Sequence, residues 1–445
     1  MLEKPKPGIN AFSNITEDKK SGNKCNEGEH AKEEFWHLLR DSSSFSDEER
    51  KRLLNIPKML VSELSMNLIE RETEAALIVL SLIMKEHVIF VGEPGTAKSE
   101  LAQKASELLI AKFYKHQLHE QMSAEELWGD INIKELKKGR RKYETSNMLP
   151  EAEIAFLDEV FNAHKSLLHT VLEVLNERKL KKGCYNPRKN PEGKAPLHTV
   201  IAATNVVPED PNINAFYDRI LFRHFIKPVG KDKWKDLHDI TIRKEHGAGY
   251  ANKRGIATLE DMKKLFSLSG EVDYSEVYDK LLEIEEELEM RHIHISDRRR
   301  GKLLKAVQAN AIMHGRDKAI KDDLLVLLYV VPANEEEYYK TEIVLYDLLK
   351  LPQWYIQELN YMHSHFENVE GEILKDNYPA KKKELNAWLE DIDAYEKKLS
   401  DMENDNLGNA EVTELVQKNR GYIEGLKERI NGALKDKYDV YGNKK

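Results

Sequence analysis

Three clusters in this chain have the residue types and spacing for phosphate chemistry. The first is Gly92-Glu93-Pro94-Gly95-Thr96-Ala97-Lys98-Ser99, followed by Glu100. Its glycines let successive backbone N–H groups turn toward a phosphate, and a helix starting at its end adds the positive end of a dipole. Lys98 brings a mobile charge for the β- and γ-phosphates of a nucleotide, and Ser99 a hydroxyl for Mg²⁺. Taken alone, the stretch also fits a Gly-Pro turn that ends by chance in Lys-Ser, and Ala97 stands where the general pattern has glycine. The second cluster is Asp158-Glu159, closing the apolar run from Ile154 to Leu157. Such a pair divides the labour: Asp158 holds Mg²⁺ through its water shell and Glu159 polarises the attacking water. The competing reading is a buried strand that turns polar on reaching solvent. The third is Asn205, after Thr199-Val200-Ile201-Ala202-Ala203-Thr204. It either orients that water or caps the turn before Pro208.

These residues need a scaffold that brings them to one edge. His87 to Val91 is an unbroken β-branched and aromatic run suited to a buried parallel strand, and Leu101, Ala102, Ala105, Leu108 and Leu109 recur at helical spacing behind the glycine turn. All three clusters then follow strand-like runs, the arrangement in which strand C-termini face a ligand crevice.

With these motifs in this order, the chain resembles the MoxR family of AAA+ ATPases, most closely its RavA-like branch, over roughly residues 53–328. The resemblance is carried by Gly-x-Pro-Gly-x-Ala-Lys-Ser, by Leu149-Pro150-Glu151-Ala152-Glu153, by Leu175-Asn176-Glu177-Arg178, and by Ala215-Phe216-Tyr217-Asp218-Arg219. Ala97 is what this branch usually has. Ile69-Glu70-Arg71-Glu72 resembles the family segment that lies against the adenine, which adds Arg71 to the nucleotide-binding residues. The resemblance implies an α/β P-loop AAA+ module with a five-stranded parallel sheet, then an α-helical lid. It also implies ATP hydrolysis with Mg²⁺ in a ring, a hexamer, with ATP between neighbours. A separate adaptor bearing a von Willebrand factor A domain and a protein client are implied partners.

Arginines suit the completion of such a site, because a guanidinium keeps its charge and spreads over two phosphate oxygens. Arg219 is the first candidate for the finger reaching a neighbour's ATP, Arg223 the second, and Arg178 also falls where a neighbour is faced. In Ser296-Asp297-Arg298-Arg299-Arg300 the family's γ-phosphate sensor of its own subunit maps onto Arg298, with Arg299 as the register alternative and Arg300 as a solvated charge.

The chain has 445 residues, 33% of them charged, which is room for two or three domains and too polar for a membrane protein. Its longest apolar run, Ala75 to Met84, is too short to span a bilayer. Cys25 and Cys184 are its only cysteines, which points to a reducing cytoplasm. A formal net charge of −9 argues against non-specific nucleic-acid binding. The local exception is Lys137-Lys138-Gly139-Arg140-Arg141-Lys142, expected as the tip of a hairpin between a strand ending near Leu136 and one starting at Tyr143. The loop from Lys181 to Ala195 is expected to project as well.

Composition and periodicity divide the chain into an aperiodic arm over 1–32, a short helical segment over 33–55, the α/β nucleotide-binding domain over 56–230, the lid over 231–331 and a helical region over 332–445. In the last, Leu385, Trp388, Ile392, Tyr395, Leu399 and Met402 form a heptad seam, and Leu415, Tyr422, Leu426 and Ile430 a second helix, predicting an antiparallel hairpin. Two alternatives stand beside an ATP-driven machine. One is a nucleotide-gated scaffold that recruits a partner through this hairpin, and the other a nucleic-acid motor acting through the basic tip.

Overall fold

The computed structural model describes residues 45–437, apart from 186, 188–189, 191, 208–215, 247–254, most of 351–381, and 406–409. The expected arm over 1–32 and the start of the next segment lie outside the described residues. Helix α1, Asp47–Ser65, opens the described chain, and α2, Glu72–Met84, leads into strand β1, Val88–Val91. Then come α3 (Lys98–Leu109), β2 (Phe113–Gln117), β3 (Ile154–Asp158), α4 (Lys165–Glu177), β4 (Thr199–Thr204) and β5 (Phe222–Phe225).

The five strands form one sheet in the order β2-β3-β4-β1-β5, with every pairing parallel. Their sequences follow from their places. Every residue of central β1 and β4 is buried, because helices cover both faces, whereas edge strand β2 mixes buried Tyr114 with exposed Lys115 and Gln117. Helix α2 is buried nearly all round, because the sheet lies on one side and two later helices on the other. This explains the apolar run from Ala75 to Met84. No helix among the described residues is long and apolar enough to cross a membrane.

Those later helices belong to a second layer: α5 (Trp234–Glu245), α6 (Leu259–Ser269), α7 (Ser275–Met290), α8 (Asp297–Met313) and α9 (Glu335–Leu349). Leu281, Ile284, Leu288, Leu303 and Val307 are fully buried there, as their spacing predicts, while Leu304 is half-buried. Helix α9 packs on α7, so the helical layer runs past 331. Helices α10 (Lys382–Asp405) and α11 (Ala410–Lys437) pack on one another around a separate core of Leu385, Ile392, Tyr395, Leu399 and Met402. On the second helix the seam is shifted: Val412, Val416 and Ile423 are fully buried, and Leu415 and Tyr422 only partly.

The basic segment differs from the expected hairpin. Ile131 and Tyr143 do pair antiparallel at its base, but Ile133–Leu136 is a helical turn, because the Asn132 side chain accepts the Glu135 N–H and caps it. Lys138 and Arg140 both pair with Glu135, so the tip carries less free charge than its sequence suggests. The Tyr143 N–H donates to the Gly183 carbonyl at 3.0 Å, tying this segment to the second loop.

Candidate nucleotide site

The glycine turn leaves β1 at the C-terminal edge of the sheet. The Gly92 N–H donates to the Thr204 carbonyl at 3.0 Å, which brings the ends of β1 and β4 together. A side chain at Gly92 would meet the Ile226 carbonyl at 2.5 Å, so the close passage of the chain leaving β5 demands glycine. Ala97 lies at φ 63°, in the left-handed region that L-residues enter at a cost of about 1–2 kcal/mol. That conformation is why glycine is the general rule there, and alanine is the smallest side chain that can replace it.

Lys98, the first residue of α3, is buried with its ammonium inside the turn, donating to the carbonyls of Gly92 at 2.7 Å and Glu93 at 2.8 Å. Burial lowers its pKa, and the nearby Asp158 and Glu159 oppose that shift. Thr96 is buried and braces the turn through Glu93, whereas Glu93, Pro94 and Gly95 are exposed. Ser99 is half-buried in the first helical turn. Glu100, half-buried too, sits 3.5 Å from Lys104.

Asp158 ends β3 and Glu159 follows at φ 50°, its N–H donating to Asp158 Oδ1 at 3.0 Å. The left-handed turn directs the Glu159 carboxylate back across the edge, where Asn205 Nδ2 donates to Oε1 at 2.7 Å and Asn162 Nδ2 to Oε2 at 3.2 Å. Asn205 follows β4, so Lys98, Asp158, Glu159 and Asn205 meet at one edge because β1, β3 and β4 are parallel neighbours. Arg71 is buried beneath the turn. Its Nε donates to the Thr96 carbonyl at 3.2 Å and its Nη2 to the Lys227 carbonyl at 3.2 Å, so it braces the loop from below.

Beside the turn lies a cleft of about 400 Å³, with Leu68, Ile69, Pro228, Trp234, Leu237 and Ile240 among its lining residues. Helix α5 supplies the last three. Trp234 is 49% exposed and Leu237 37%, and as lining of the cleft they suit a wall for a flat apolar base. Sequence reasoning assigned this helix to the lid and missed it as part of the site. The signal was present in Trp234-x-x-Leu237-x-x-Ile240 at helical spacing just after Pro228. The donor set fits a nucleotide with its metal: hard oxygens from Ser99 and Asp158 suit Mg²⁺, and the turn and apolar cleft suit phosphates and base.

The arginines lie elsewhere. The β1–β5 register sets Val88 opposite Phe222, so Arg219, three residues before Phe222, sits at the N-terminal edge, away from the glycine turn. Arg219 is half-buried there. Arg298 is exposed in the first turn of α8, next to Ser296, whose hydroxyl donates to Asp218 at 3.1 Å. Lys302 reaches Glu86 at 2.8 Å, just before β1, and the Ile256 N–H donates to Leu108 at the far end of α3. Helix α3 of 12 residues separates that end from the turn by about 18 Å. Sensing of its own subunit's phosphate by Arg298 is therefore corrected: Arg298 shares the edge and surroundings of Arg219.

Burial corrects the readings of Arg223 and Arg299. Arg223 is 3% and Arg299 4% exposed, both bonded to backbone carbonyls, so neither is the finger or the sensor. Arg178 donates to the Leu197 and Lys85 carbonyls at 3.0 and 2.8 Å, and burial lowers it to about 10, so it ties α4 to the strands. Arg300 is held by Glu285 at 2.8 Å and by Glu289.

Residues 55–265 match the family described as the MoxR domain in the MoxR-vWA-beta-propeller ternary systems, and residues 276–345 match an AAA lid domain. The uncharacterized protein MJ0812 of Methanocaldococcus jannaschii is 32% identical over 377 residues, covering 84% of this chain and 98% of that protein. A second protein of that organism, MJ0079, is 32% identical over 287 residues, 64% of this chain and 72% of its own length. The structural protein ORF618 of Acidianus two-tailed virus is 26% identical over 63% of the chain and 50% of its own length. Among solved structures, a Cytophaga hutchinsonii protein designated a candidate ATPase superposes with a TM-score of 0.54 at 18% identity, covering 68% of this chain and 96% of that one, a likeness of fold.

Proposed function

Because the chain belongs to the MoxR family of AAA+ ATPases, we propose that it hydrolyses ATP at the interfaces of a ring of its own copies, a hexamer, and uses that cycle to remodel or activate a protein client. The observation that carries this reading is the separation of two half-sites. Lys98, Asp158, Glu159 and Asn205 gather at one edge of the sheet, Arg219 and Arg298 at the other. Neither half completes the chemistry alone, and a ring supplies the second half from a neighbour.

In this reading the turn from Gly92 to Lys98 grips the phosphates through backbone N–H groups, and Lys98 exchanges its loop carbonyls for phosphate oxygens. Mg²⁺, held by Ser99 and Asp158, would neutralise phosphate charge. Glu159 accepts the proton of the attacking water, and Asn205, already bonded to that carboxylate, orients the pair. Arg219 of the neighbouring copy, with Arg298 beside it, offsets the charge of the transition state. Trp234 and Leu237 wall the base. A von Willebrand factor A domain adaptor is supported by the matched family's description, which names such a domain and a β-propeller as companions. The RavA-like affinity of the turn and action in the cytoplasm belong to the same reading.

The test is turnover. Glu159→Gln should keep ATP binding and lose hydrolysis by about 10²–10⁴-fold, the usual loss on removing a general base. Undiminished ATPase in Glu159→Gln, or a wild-type chain that binds ATP without ever hydrolysing it, sinks the proposal.

A further inference from the structure

Buried in the same region as Arg219 and Arg298 is a pair of cations that phosphate chemistry does not use. All the hydrogen bonds described for the Arg223 and Arg299 guanidiniums end on main-chain carbonyls. Arg223 donates to Tyr217 at 2.8 Å and Pro332 at 3.1 Å. Arg299 donates to Ile220 at 3.0 Å, to Leu221 at 2.9 Å, and to Val330. The Tyr217 ring lies 4.0 Å from the Arg223 guanidinium carbon. No carboxylate is paired with either among the described residues, and the Nε of each and the Tyr217 hydroxyl are buried without a hydrogen-bond partner.

Such an arrangement is a poor way to gain stability. A buried cation pays a desolvation cost that carbonyl dipoles offset only in part, and an apolar residue of similar volume often serves the core as well or better. Burial, and after it the charge of Arg223, pushes Arg299 down to about 9. What the pair does achieve is shape. The planar fork of a guanidinium can hold several carbonyls at once in fixed directions, which no apolar side chain can do. Three of those carbonyls, at 217, 220 and 221, bracket Asp218 and Arg219. The other two, at 330 and 332, lie in the segment that leads into α9. Ser296, at the head of the helix that carries Arg298 and Arg299, closes the ring of contacts on Asp218.

We propose that Arg299, with Arg223, is a positioning residue that clasps the Arg219 turn to the head of α8, so that Arg219 and Arg298 move as one rigid tool. The proposal rests on the reading of Arg219 and Arg298 as acting on a neighbour's ATP. The clasp lies at the edge opposite the glycine turn, so its loss should spare nucleotide binding in its own subunit and impair only what that subunit offers its neighbour.

The experiment uses the full-length protein with Arg299→Met, which keeps the volume and removes the charge and its bonds. The ATPase kcat should fall by about 10–100-fold, the effect of a small misplacement of a reacting group, with the Kd for a fluorescent ATP analogue unchanged. Mixing with Lys98→Ala subunits, which bring an intact arginine face, should restore turnover as it would for Arg219→Ala. In the same variant, amide hydrogen exchange should quicken over 216–222 and stay unchanged over 92–99. Wild-type kcat in Arg299→Met overturns the clasp. So does a loss that comes with weakened nucleotide binding or that Lys98→Ala subunits fail to rescue, since either marks a merely structural role. Should Arg299→Met fail to fold, Arg299→Lys keeps the charge but not the fork and should show the same pattern at smaller size. Should the wild-type protein turn over no ATP, the functional reading fails, and the exchange measurement alone still decides the clasp: unchanged exchange over 216–222 overturns it.

Discussion

At the C-terminal edge of the sheet, Lys98 sits in an open turn on carbonyls it can leave, and the Glu159 carboxylate rests on two side-chain amides. At the N-terminal edge, Arg223 and Arg299 are sealed in and fixed to main chain. Both edges hold cations near backbone oxygen, but they differ in reversibility. The lysine's contacts lie within one exposed loop beside a cleft, and in the proposed function an incoming phosphate replaces them. The arginines' contacts join segments far apart in sequence, so breaking them moves the turn that carries Arg219. What the bonds connect, one loop or segments distant in sequence, is the difference on which the two proposed roles rest.

The sharpest way to break this comparison is Arg219→Ala. Loss of an arginine that works across an interface should lower kcat by about 10³-fold or more. Activity should return on mixing with Lys98→Ala subunits, followed as steady-state phosphate release across mixing ratios. Failure at every ratio would return the two edges to independent roles.

The next effect concerns acid. His87 and His198 sit just before β1 and β4, at the arginine edge, and both are fully buried. His87 accepts the Val200 N–H on Nδ1 at 3.0 Å and faces the Leu175 carbonyl through Nε2 at 3.3 Å, a pairing that only the neutral ring satisfies. Burial, the larger cause, holds His87 well below its ordinary value and His198 at about 4. The unfolded chain takes up these protons near pH 6.5 and the folded chain does not. Stability is therefore complete above about pH 6.5 and falls as pH drops from there toward 4, by about 3 kcal/mol for His198 alone. Denaturant unfolding of His198→Gln should show a flatter profile between pH 6.5 and 4 than the wild type.

Smaller effects test each edge singly. Ser296→Ala removes the bond to Asp218 and should cost about 1 kcal/mol of stability while leaving the Kd for ATP unchanged. At the other edge, Ala97→Gly relieves the left-handed strain but adds backbone entropy to the unfolded chain, so thermal unfolding should rise by no more than about 1 kcal/mol. Ala97→Val, whose branched side chain fits that conformation poorly, should lower both stability and nucleotide affinity.

The amino-acid sequence by itself determined the sheet and the chemistry of its C-terminal edge. Apolar runs ending in Asp158-Glu159 and Asn205, and a strand entering Gly92 to Ser99, are local patterns. A parallel sheet converts such patterns into one crevice by strand polarity alone. Helix spacing likewise foretold the buried faces of α7 and α8 and the pairing of α10 with α11. Only the tertiary structure decided where the arginines sit and what they bond. Arg219, Arg223, Arg298 and Arg299 are alike in sequence, and burial together with contacts across 31 to 109 residues separates the two that bond to main chain from half-buried Arg219 and exposed Arg298. It also decided that Trp234 and Leu237 wall the cleft: their helical spacing marks an apolar face, but what that face lies over is set by packing between elements.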